Sequence, residues 1–254
     1  MIRIKDIAER VGVSATTVSN VEEIIRQAKV WNLDGLIACN LQPGVIRHLH
    51  TLYQKPLVSL DAYLEDGGSY INIGIDDFGG GYEMGRYLAA MGHRRILMIS
   101  DNDQKVDHER WLGLKKGLEE AGVPVSEGQH LIVSNIYRER LVQYKQYKEL
   151  LRKQTALFFS SDLYALEACP ILREMGFRIP EGLSLAGFDD LFCSGFMTPK
   201  LTTIRQDIEQ KARMAVDALF SLMDGDEQRE WVLPVELVKR GSVRRIEKRE
   251  EVFV

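Results

Sequence analysis

The chain alternates short apolar runs with segments of helical periodicity. The runs are LIAC (36–39), LVSL (57–60), INIGI (71–75), ILMI (96–99), ALFF (156–159) and LSLAGF (183–188). Between them, apolar residues recur three or four positions apart, as in Met84, Leu88 and Met91. Strands that are apolar on both faces and alternate with helices predict right-handed βαβ units and an open parallel sheet. The ligands of such a sheet bind beyond the carboxyl ends of its strands.

Composition narrows the class of protein without changing this picture. The chain has 254 residues, is 45% hydrophobic and 28% charged, and carries a net charge of −4. These values fit one or two globular domains and exclude intrinsic disorder. No run approaches the ~20 apolar residues of a membrane span. The opening MIRIKDIAERVG lacks the apolar core of a signal peptide, so we expect a cytoplasmic protein with no membrane partner.

The first twenty residues predict two short helices. Ile4, Ala8 and Val11 share one helical face, Gly12 ends that helix, and the next helix carries Val18. This arrangement is typical of a helix-turn-helix, whose second helix enters the major groove of DNA. The candidate DNA-binding residues are Ser14, Ala15, Thr16, Thr17, Ser19 and Asn20. Spacing alone leaves open a second interpretation, a surface helix pair within a larger domain.

Several motifs resemble the lactose-repressor (LacI-type) family of bacterial transcription regulators. IKDIAERVGVSATTVSNV (4–21) resembles the DNA-binding motif of that family. Further resemblances, in the order of the family, are LDGLIA (33–38), GGGYEMGRYLAAMGHRRI (79–96), ERWLGLKKGLEEAG (109–122), SSDLYALEA (160–168), IPEGLSLAGFDD (179–190) and TPKLTTIRQ (198–206). The resemblance implies an α/β fold with two parallel-sheet lobes of the periplasmic-binding-protein type, preceded by a short all-α helix-turn-helix. It also implies operator DNA, a sugar or related small effector and a second copy of the chain as partners.

The resemblance divides the chain into domains and breaks at one point. It implies a partial DNA-binding segment at 1–21, an N-terminal lobe at 22–76 and 206–225, a C-terminal lobe at 77–205 and 226–245, and a tail at 246–254. After Val21 the chain passes directly into EEIIRQAKVWNLDGLI. The third helix, the hinge and the opening strand–helix–strand of the family are absent there, as after an internal deletion. We therefore expect a weakened N-terminal lobe with an open sheet edge, and weak operator binding.

The same resemblance implies the effector contacts. Arg110 points its guanidinium into the cleft, where it can donate to sugar oxygens. Asp162 and Asp189 follow strands and can accept from hydroxyl groups, and Ser161 stands where the family often has Asn. Asp61 matches a position at the edge of the cleft. The alternatives are an ion pair for Arg110, a helix cap for Asp162, and turn positions for Asp189 and Asp61.

A catalytic function finds little support in the sequence. The glycines of GGGYEMG (79–85) lack the spacing of a dinucleotide loop, which favours close helix packing instead. There is no nucleophile elbow, P-loop or HExxH motif, and the three cysteines are far apart. We therefore expect no enzyme, no catalytic residue, no metal and no cofactor. A sugar-binding protein without competent DNA binding is the second functional class.

Within ALEACPILREMG, Pro170 predicts a kink or break near Ala168.

Overall fold

The structure, a computed structural model, describes residues 15–39, 41, 43–62, 71–225 and 230–247. The helices are α1 (Ala15–Val30), α2 (Pro43–Tyr53), α3 (Asp77–Ala90), α4 (Lys105–Glu120), α5 (Tyr137–Gln146), α6 (Lys148–Arg152), α7 (Asp162–Glu174) and α8 (Ile208–Asp224). The strands are β1 (Leu36–Cys39), β2 (Leu57–Leu60), β3 (Ile71–Ile75), β4 (Ile96–Ser100), β5 (His130–Ile132), β6 (Ala156–Phe159), β7 (Ser184–Asp189), β8 (Thr202–Gln206), β9 (Trp231–Leu233) and β10 (Val235–Val238). Short 3-10 helices occupy Glu127–Gln129 and Phe192–Gly195.

The chain forms two compact units, each built from two stretches of sequence. Unit 1 comprises residues up to Ile75 together with Asp207–Leu233, and unit 2 comprises Asp76–Gln206 together with residues from Pro234 onward. The sequence analysis assigned all of 226–245 to the second lobe. The structure instead divides this segment at Pro234, with β9 in unit 1 and β10 in unit 2. Proline has no backbone N–H for a strand ladder, which suits a point where the chain changes sheet.

Unit 1 is a four-stranded parallel sheet in the order β1-β2-β3-β9. Its core contains Val21, Ile25 and Ala28 of α1, packed with Ile46 and Leu49 of α2. Helix α8 packs on β1, β2 and β3. Strand β1 lies at one end of the sheet and is partly exposed, whereas β3 is buried throughout.

Helix α1 differs from the sequence prediction. The sequence analysis predicted a short second helix within the first twenty residues, but the structure has one helix from Ala15 to Val30. Its apolar stripe belongs to the core of unit 1. Ser14 and the side chains of residues 15–20 lie outside the described part of the chain, so the predicted DNA contacts stay a prediction.

Unit 2 contains a six-stranded sheet in the order β10-β8-β7-β6-β4-β5. Strand β10 is antiparallel to β8, and the other neighbouring strands are parallel. The apolar runs at β4, β6 and β7 were predicted, and they supply buried residues such as Leu97, Leu157 and Leu185. The prediction missed β5 and β8. The first is only three residues long, and the second, TTIRQ, is largely polar.

Close helix packing explains the glycine run of unit 2. A Cβ on Gly81 of α3 would overlap the carbonyl oxygen of Arg110, and one on Gly113 of α4 would overlap that of Phe78. Helices α3 and α4 therefore approach each other backbone to backbone, as the sequence analysis favoured over a dinucleotide loop. This contact fixes the backbone of Arg110 beside the first turn of α3.

Helix α7 runs through Pro170 without interruption and ends at Glu174. The expected break near Ala168 is therefore absent. Among the described residues, no helix has both the length and the apolar character needed to cross a membrane.

Candidate functional site

Polar residues converge at the carboxyl ends of the parallel strands in unit 2. Ser161 follows β6, Asp189 ends β7 and Gln206 ends β8. Arg110, on the second turn of α4, and Asp77, the first residue of α3, lie at the same edge. We call these residues, together with Asp107, the carboxyl-edge site. An open parallel sheet binds its ligands at this edge.

Arg110 is the central cation of the carboxyl-edge site. Its Nε donates to Asp77 Oδ1 at 2.7 Å, and its Nη1 donates to the Ser160 carbonyl oxygen at 2.5 Å. The guanidinium carbon lies 3.7 Å from the centre of the Phe188 ring. Burial by itself lowers the pKa of Arg110, but the carboxylates of Asp77 and nearby aspartates raise the pKa above its ordinary value. The side chain is therefore a permanent, oriented cation.

Asp189 joins three strand ends in one hydrogen-bond network. Its Oδ2 accepts from the Ser161 hydroxyl at 2.8 Å, and its Oδ1 accepts from the Gln206 amide at 2.8 Å. The same Oδ1 lies 4.0 Å from Arg110 Nη1. Asp189 also has φ of 111°. Residues other than glycine rarely adopt this backbone conformation, and such strain concentrates at functional sites.

Asp107 places a third carboxylate near Arg110, beside those of Asp77 and Asp189. It is buried, and burial raises its pKa to about 6, with smaller upward contributions from Asp101 and Asp77. Arg110 and a hydrogen bond with Ser160 oppose this shift. The carboxylate is therefore ionised at neutral pH and becomes protonated in mildly acidic solution.

Asp162 is hydrogen-bonded to other residues in the interior of unit 2. It is fully buried, and its Oδ2 accepts from Leu191 N–H at 2.9 Å and from the Ser194 hydroxyl at 2.5 Å. Its Oδ1 accepts from the Thr203 hydroxyl at 2.5 Å. Both oxygens are thus engaged by the chain itself. The helix-cap alternative does not apply either, because the cap of α7 is Ser161.

Asp61 lies in unit 1, after β2. Its two carboxylate oxygens accept from Lys211 Nζ at 3.0 and 2.8 Å, and Lys211 is buried. Its φ of 58° is that of a turn residue. This geometry agrees with the turn alternative of the sequence analysis.

Four of the five predicted effector residues thus belong to unit 2, where Arg110, Ser161 and Asp189 lie in one network. The sequence analysis missed Asp77, Asp107 and Gln206. Asp77 carried a usable signal, because it lies two positions after the apolar run 71–75 and just before a helical pattern. Gln206 carried little signal, because it ends the largely polar strand β8. Asp107 carried none, since it lies inside a helix whose partners come from distant segments. Among the described residues, no group of three His, Cys, Asp or Glu side chains is suited to a metal ion.

Comparison with known proteins finds one matching domain family and relatives that are transcription regulators. The family described as "Periplasmic binding protein-like domain" matches residues 86–243. The chain is 30% identical over 177 residues to the arabinose metabolism transcriptional repressor of Halalkalibacterium halodurans, a match covering 68% of this chain and 46% of that protein. It is 32% identical over 192 residues to the HTH-type transcriptional regulator MalR of Clostridium butyricum, covering 73% and 56%. The chain therefore spans about half the length of these relatives.

The fold agrees with a solved structure. The LacI family transcriptional regulator from Enterococcus faecium, with bound ribose, superimposes with a TM-score of 0.79 at 27% identity, covering 91% of this chain and 85% of that one. Fold, motif order and family match all agree. The chain therefore belongs to the LacI-type family and carries its periplasmic-binding-protein-like domain.

Proposed function

We propose that this chain is a cytoplasmic, ligand-responsive transcription regulator that binds a small neutral sugar or polyol at the carboxyl-edge site. The observation that carries the proposal is the network of Arg110, Ser161, Asp189 and Gln206 at four converging elements. A sugar presents hydroxyl groups that both donate and accept. The carboxylates can accept from them, and the guanidinium can donate to them. The chain acts by binding and contributes no catalytic step.

The charge of the site favours a neutral ligand over an anionic one. Arg110 is the single cation of the network, and the carboxylates of Asp77, Asp107 and Asp189 surround it. An ionised phosphate placed there meets more negative than positive charge in a poorly solvated setting. A neutral sugar meets oriented acceptors and donors without that repulsion. The ribose bound to the Enterococcus relative belongs to this neutral class.

A thermal-shift screen of the full chain tests the ligand class. Neutral pentoses and hexoses are compared with their phosphorylated counterparts at equal concentration. We expect at least one neutral sugar to raise the melting temperature, since a 1,000-fold excess over Kd adds about 4 kcal/mol of stability. We expect the matching phosphate ester to have little effect. Failure of every sugar, or stabilisation by phosphate esters alone, would contradict the proposed site.

The DNA-binding part of the proposal depends on the first twenty residues. Their helix-turn-helix pattern supports operator DNA as a partner, and the absence of the hinge segment predicts weak binding. The second candidate function, a sugar-binding protein without competent DNA binding, follows from α1, whose apolar stripe is used inside unit 1.

Fluorescence anisotropy separates the two functions. The full chain is titrated onto labelled fragments from upstream of its own coding sequence and onto scrambled fragments, at low and moderate salt. A regulator shows a preference for one fragment that persists at moderate salt and changes when the sugar is added. Equal binding to both fragments that disappears with salt supports the second function.

We further propose that the chain forms a homodimer, as the resemblance implies. Sedimentation of the full chain tests this independently of DNA and sugar. A single species near the monomer mass of 29.0 kDa at all concentrations would refute it.

A further inference from the structure

Two histidines of unit 2 flank one carboxylate in the loop that follows β4. Asp103 lies in this loop, residues 101–104, and its Oδ1 is 2.9 Å from His108 Nδ1 and 3.9 Å from His130 Nδ1. His108 is on the first turn of α4, and His130 begins β5. Among the described residues, Asp103 and His108 are the titratable groups that act on His130. We call these three residues the imidazole cluster.

The hydrogen bonds of Ser100 determine which nitrogen of His130 carries the proton. The Ser100 hydroxyl donates to the Asn102 carbonyl oxygen at 2.6 Å, which uses its single proton. The same Oγ lies 2.8 Å from His130 Nε2 and therefore accepts from Nε2–H. Neutral His130 consequently has an unprotonated Nδ1. That nitrogen faces the Asp103 carboxylate, and two acceptors 3.9 Å apart make no hydrogen bond.

Protonation of His130 reverses the sign of its contact with Asp103. A proton on Nδ1 converts two acceptors into an imidazolium and a carboxylate, which attract each other. The side chain of His130 is 7% exposed, whereas that of Asp103 is 56% exposed, so Asp103 is the partner that can move. A carboxylate has acceptor sites for both rings, so Asp103 can keep its bond to His108.

Trp111 covers one face of His130. The two rings stack with centroids 5.2 Å apart and planes 22° apart, and Trp111 is buried on the second turn of α4. An imidazolium in this position gains a cation–π contact. Burial lowers the pKa of His130, the Asp103 carboxylate opposes that shift, and His108 adds to it. The ring is therefore neutral at pH 7 and takes up a proton in acid solution.

The 101–104 loop joins the imidazole cluster to the carboxyl-edge site. The Asn102 amide donates to Asp101 Oδ1 at 2.7 Å, and Asn102 Oδ1 accepts from the Gln104 N–H at 2.8 Å. Asp101 in turn acts on the buried carboxylate of Asp107. Helix α4 begins directly after the loop, and its N-cap residue, Gln104, makes no side-chain cap bond. A bond from Asp103 to β5 therefore ties the start of α4 to the sheet.

We propose that the imidazole cluster is an acid-operated latch, in which proton uptake at His130 Nδ1 draws Asp103 onto β5 and orders the loop leading into the carboxyl-edge site. At neutral pH the latch is open, because Nδ1 has no proton to donate. The latch itself does not depend on the proposed function, but its effect on the effector rests on it. A loop that is already ordered loses less entropy when a sugar binds beside it, so the closed latch favours binding.

Tryptophan fluorescence of the full chain as a function of pH tests the latch. An imidazolium stacked on an indole quenches its emission, so wild-type emission should fall in a step centred below about pH 6.5. His130→Gln should abolish this step. Asp103→Asn removes the attracting carboxylate and should lower the midpoint by about half a pH unit or more, whereas His108→Gln removes an opposing charge and should raise it. The matched control is Glu119→Gln, an exposed acid at the far end of α4, which should leave the midpoint unchanged.

Hydrogen exchange and calorimetry measure the consequences of closing the latch. At pH 5.5 the 101–104 loop should exchange more slowly in the wild type than in His130→Gln, and at pH 7.5 the two should be equal. With the sugar found in the thermal-shift screen, the wild type should bind about threefold more tightly than His130→Gln at pH 5.5 and equally at pH 7.5. Comparing two proteins at one pH cancels the protonation of Asp107, which both share.

The outcomes separate the latch from the effector site. A fluorescence step that persists in His130→Gln, or midpoints that move in the same direction in Asp103→Asn and His108→Gln, would overturn the latch. The side chains of Asp103 and His108 are half-exposed, so these two variants decide the matter even if His130→Gln folds poorly. Equal sugar affinities at pH 5.5 beside a normal fluorescence step would overturn the link to the effector. If no sugar binds at either pH, the proposed function fails, while fluorescence and exchange still decide the latch.

Discussion

Arg110 illustrates how a single residue joins fold to function in this chain. Asp77 and the Ser160 carbonyl fix two of its nitrogens, and Phe188 lies against the guanidinium plane. These contacts orient a long side chain that is otherwise costly to order. The guanidinium therefore stands beside Asp189 with its direction already set, which lowers the entropic cost of binding a ligand there.

The buried ring of His93 should make the stability of the chain depend on pH. The ring is fully buried, with Nδ1 3.0 Å from the Thr155 hydroxyl and Nε2 3.1 Å from the Arg244 carbonyl oxygen. Burial lowers the pKa of His93 from its ordinary value of about 6.5 to about 4. The unfolded chain therefore binds a proton below about pH 6.5 that the folded chain does not bind until about pH 4. Stability attributable to His93 consequently decreases as the pH falls through this window.

Replacing His93 by Gln tests this sign. Gln retains hydrogen-bonding capacity but does not titrate. Between pH 7 and pH 5, we expect the wild type to lose about 2 kcal/mol more unfolding free energy than His93→Gln. Urea denaturation at the two pH values measures the difference, and equal losses would show that His93 contributes no pH dependence.

The sequence predicted the location of the site better than the contacts that each of its residues makes. Ser161, Asp162 and Asp189 all follow predicted strands, so their placement at the carboxyl edge was accessible from the pattern. The sequence pattern could not show which of these carboxylates is buried. The donors that enclose Asp162 come from Ser194 and Thr203, which lie more than thirty residues later in the chain. Tertiary packing of this kind leaves no local signal.

At the scale of elements, the contact between α3 and α4 determines where Arg110 can stand. Gly81 and Gly85 of α3 lie against the backbone of α4, while Gly113 and Gly117 of α4 lie against the backbone of α3. The glycine spacing was readable from the sequence, but its partner helix was not. Elements without a strong apolar pattern, such as β5 and β8, also escaped prediction, because their pairing depends on neighbouring strands.

Gly113→Ala should therefore be destabilising. The added methyl group overlaps the Phe78 carbonyl, so the two helices must separate, at a cost of about 1–3 kcal/mol. Gly128→Ala is the matched control, because a Cβ there has no neighbour within 4 Å. Thermal unfolding followed by circular dichroism compares the two variants. Equal melting temperatures would contradict the close-packed contact.

At the scale of the whole molecule, the chain consists of two units with separate cores. The core of unit 1 is built around α1 and α2, and the core of unit 2 around β4, β6, β7 and α7. The sequence anticipated two lobes built on parallel sheets. It misplaced the boundary near Pro234, because an apolar run there continues through the point where the chain changes sheet.

Separate cores predict separate responses to core mutations. Leu49→Ala removes a buried side chain of unit 1, and Leu157→Ala removes one of unit 2. Each should cost about 2–5 kcal/mol within its own unit. Hydrogen exchange monitored by mass spectrometry should show faster exchange in β1–β3 for Leu49→Ala and in β4–β7 for Leu157→Ala. Acceleration of both sheets by either variant would instead show that the units unfold together.

Calorimetric titration of a neutral sugar into two neighbouring variants tests the central claim most directly. Asp189 belongs to the carboxyl-edge site, whereas Asp190 pairs with Arg205 and Arg240. Both residues have positive φ, which Asn tolerates, so Asp189→Asn and Asp190→Asn make the same chemical change one position apart. With the sugar found in the thermal-shift screen, we predict that Asp189→Asn weakens binding at least about tenfold. Asp190→Asn should bind as the wild type does. Unchanged affinity in Asp189→Asn, or an equal loss in both variants, would contradict the assignment of the effector site.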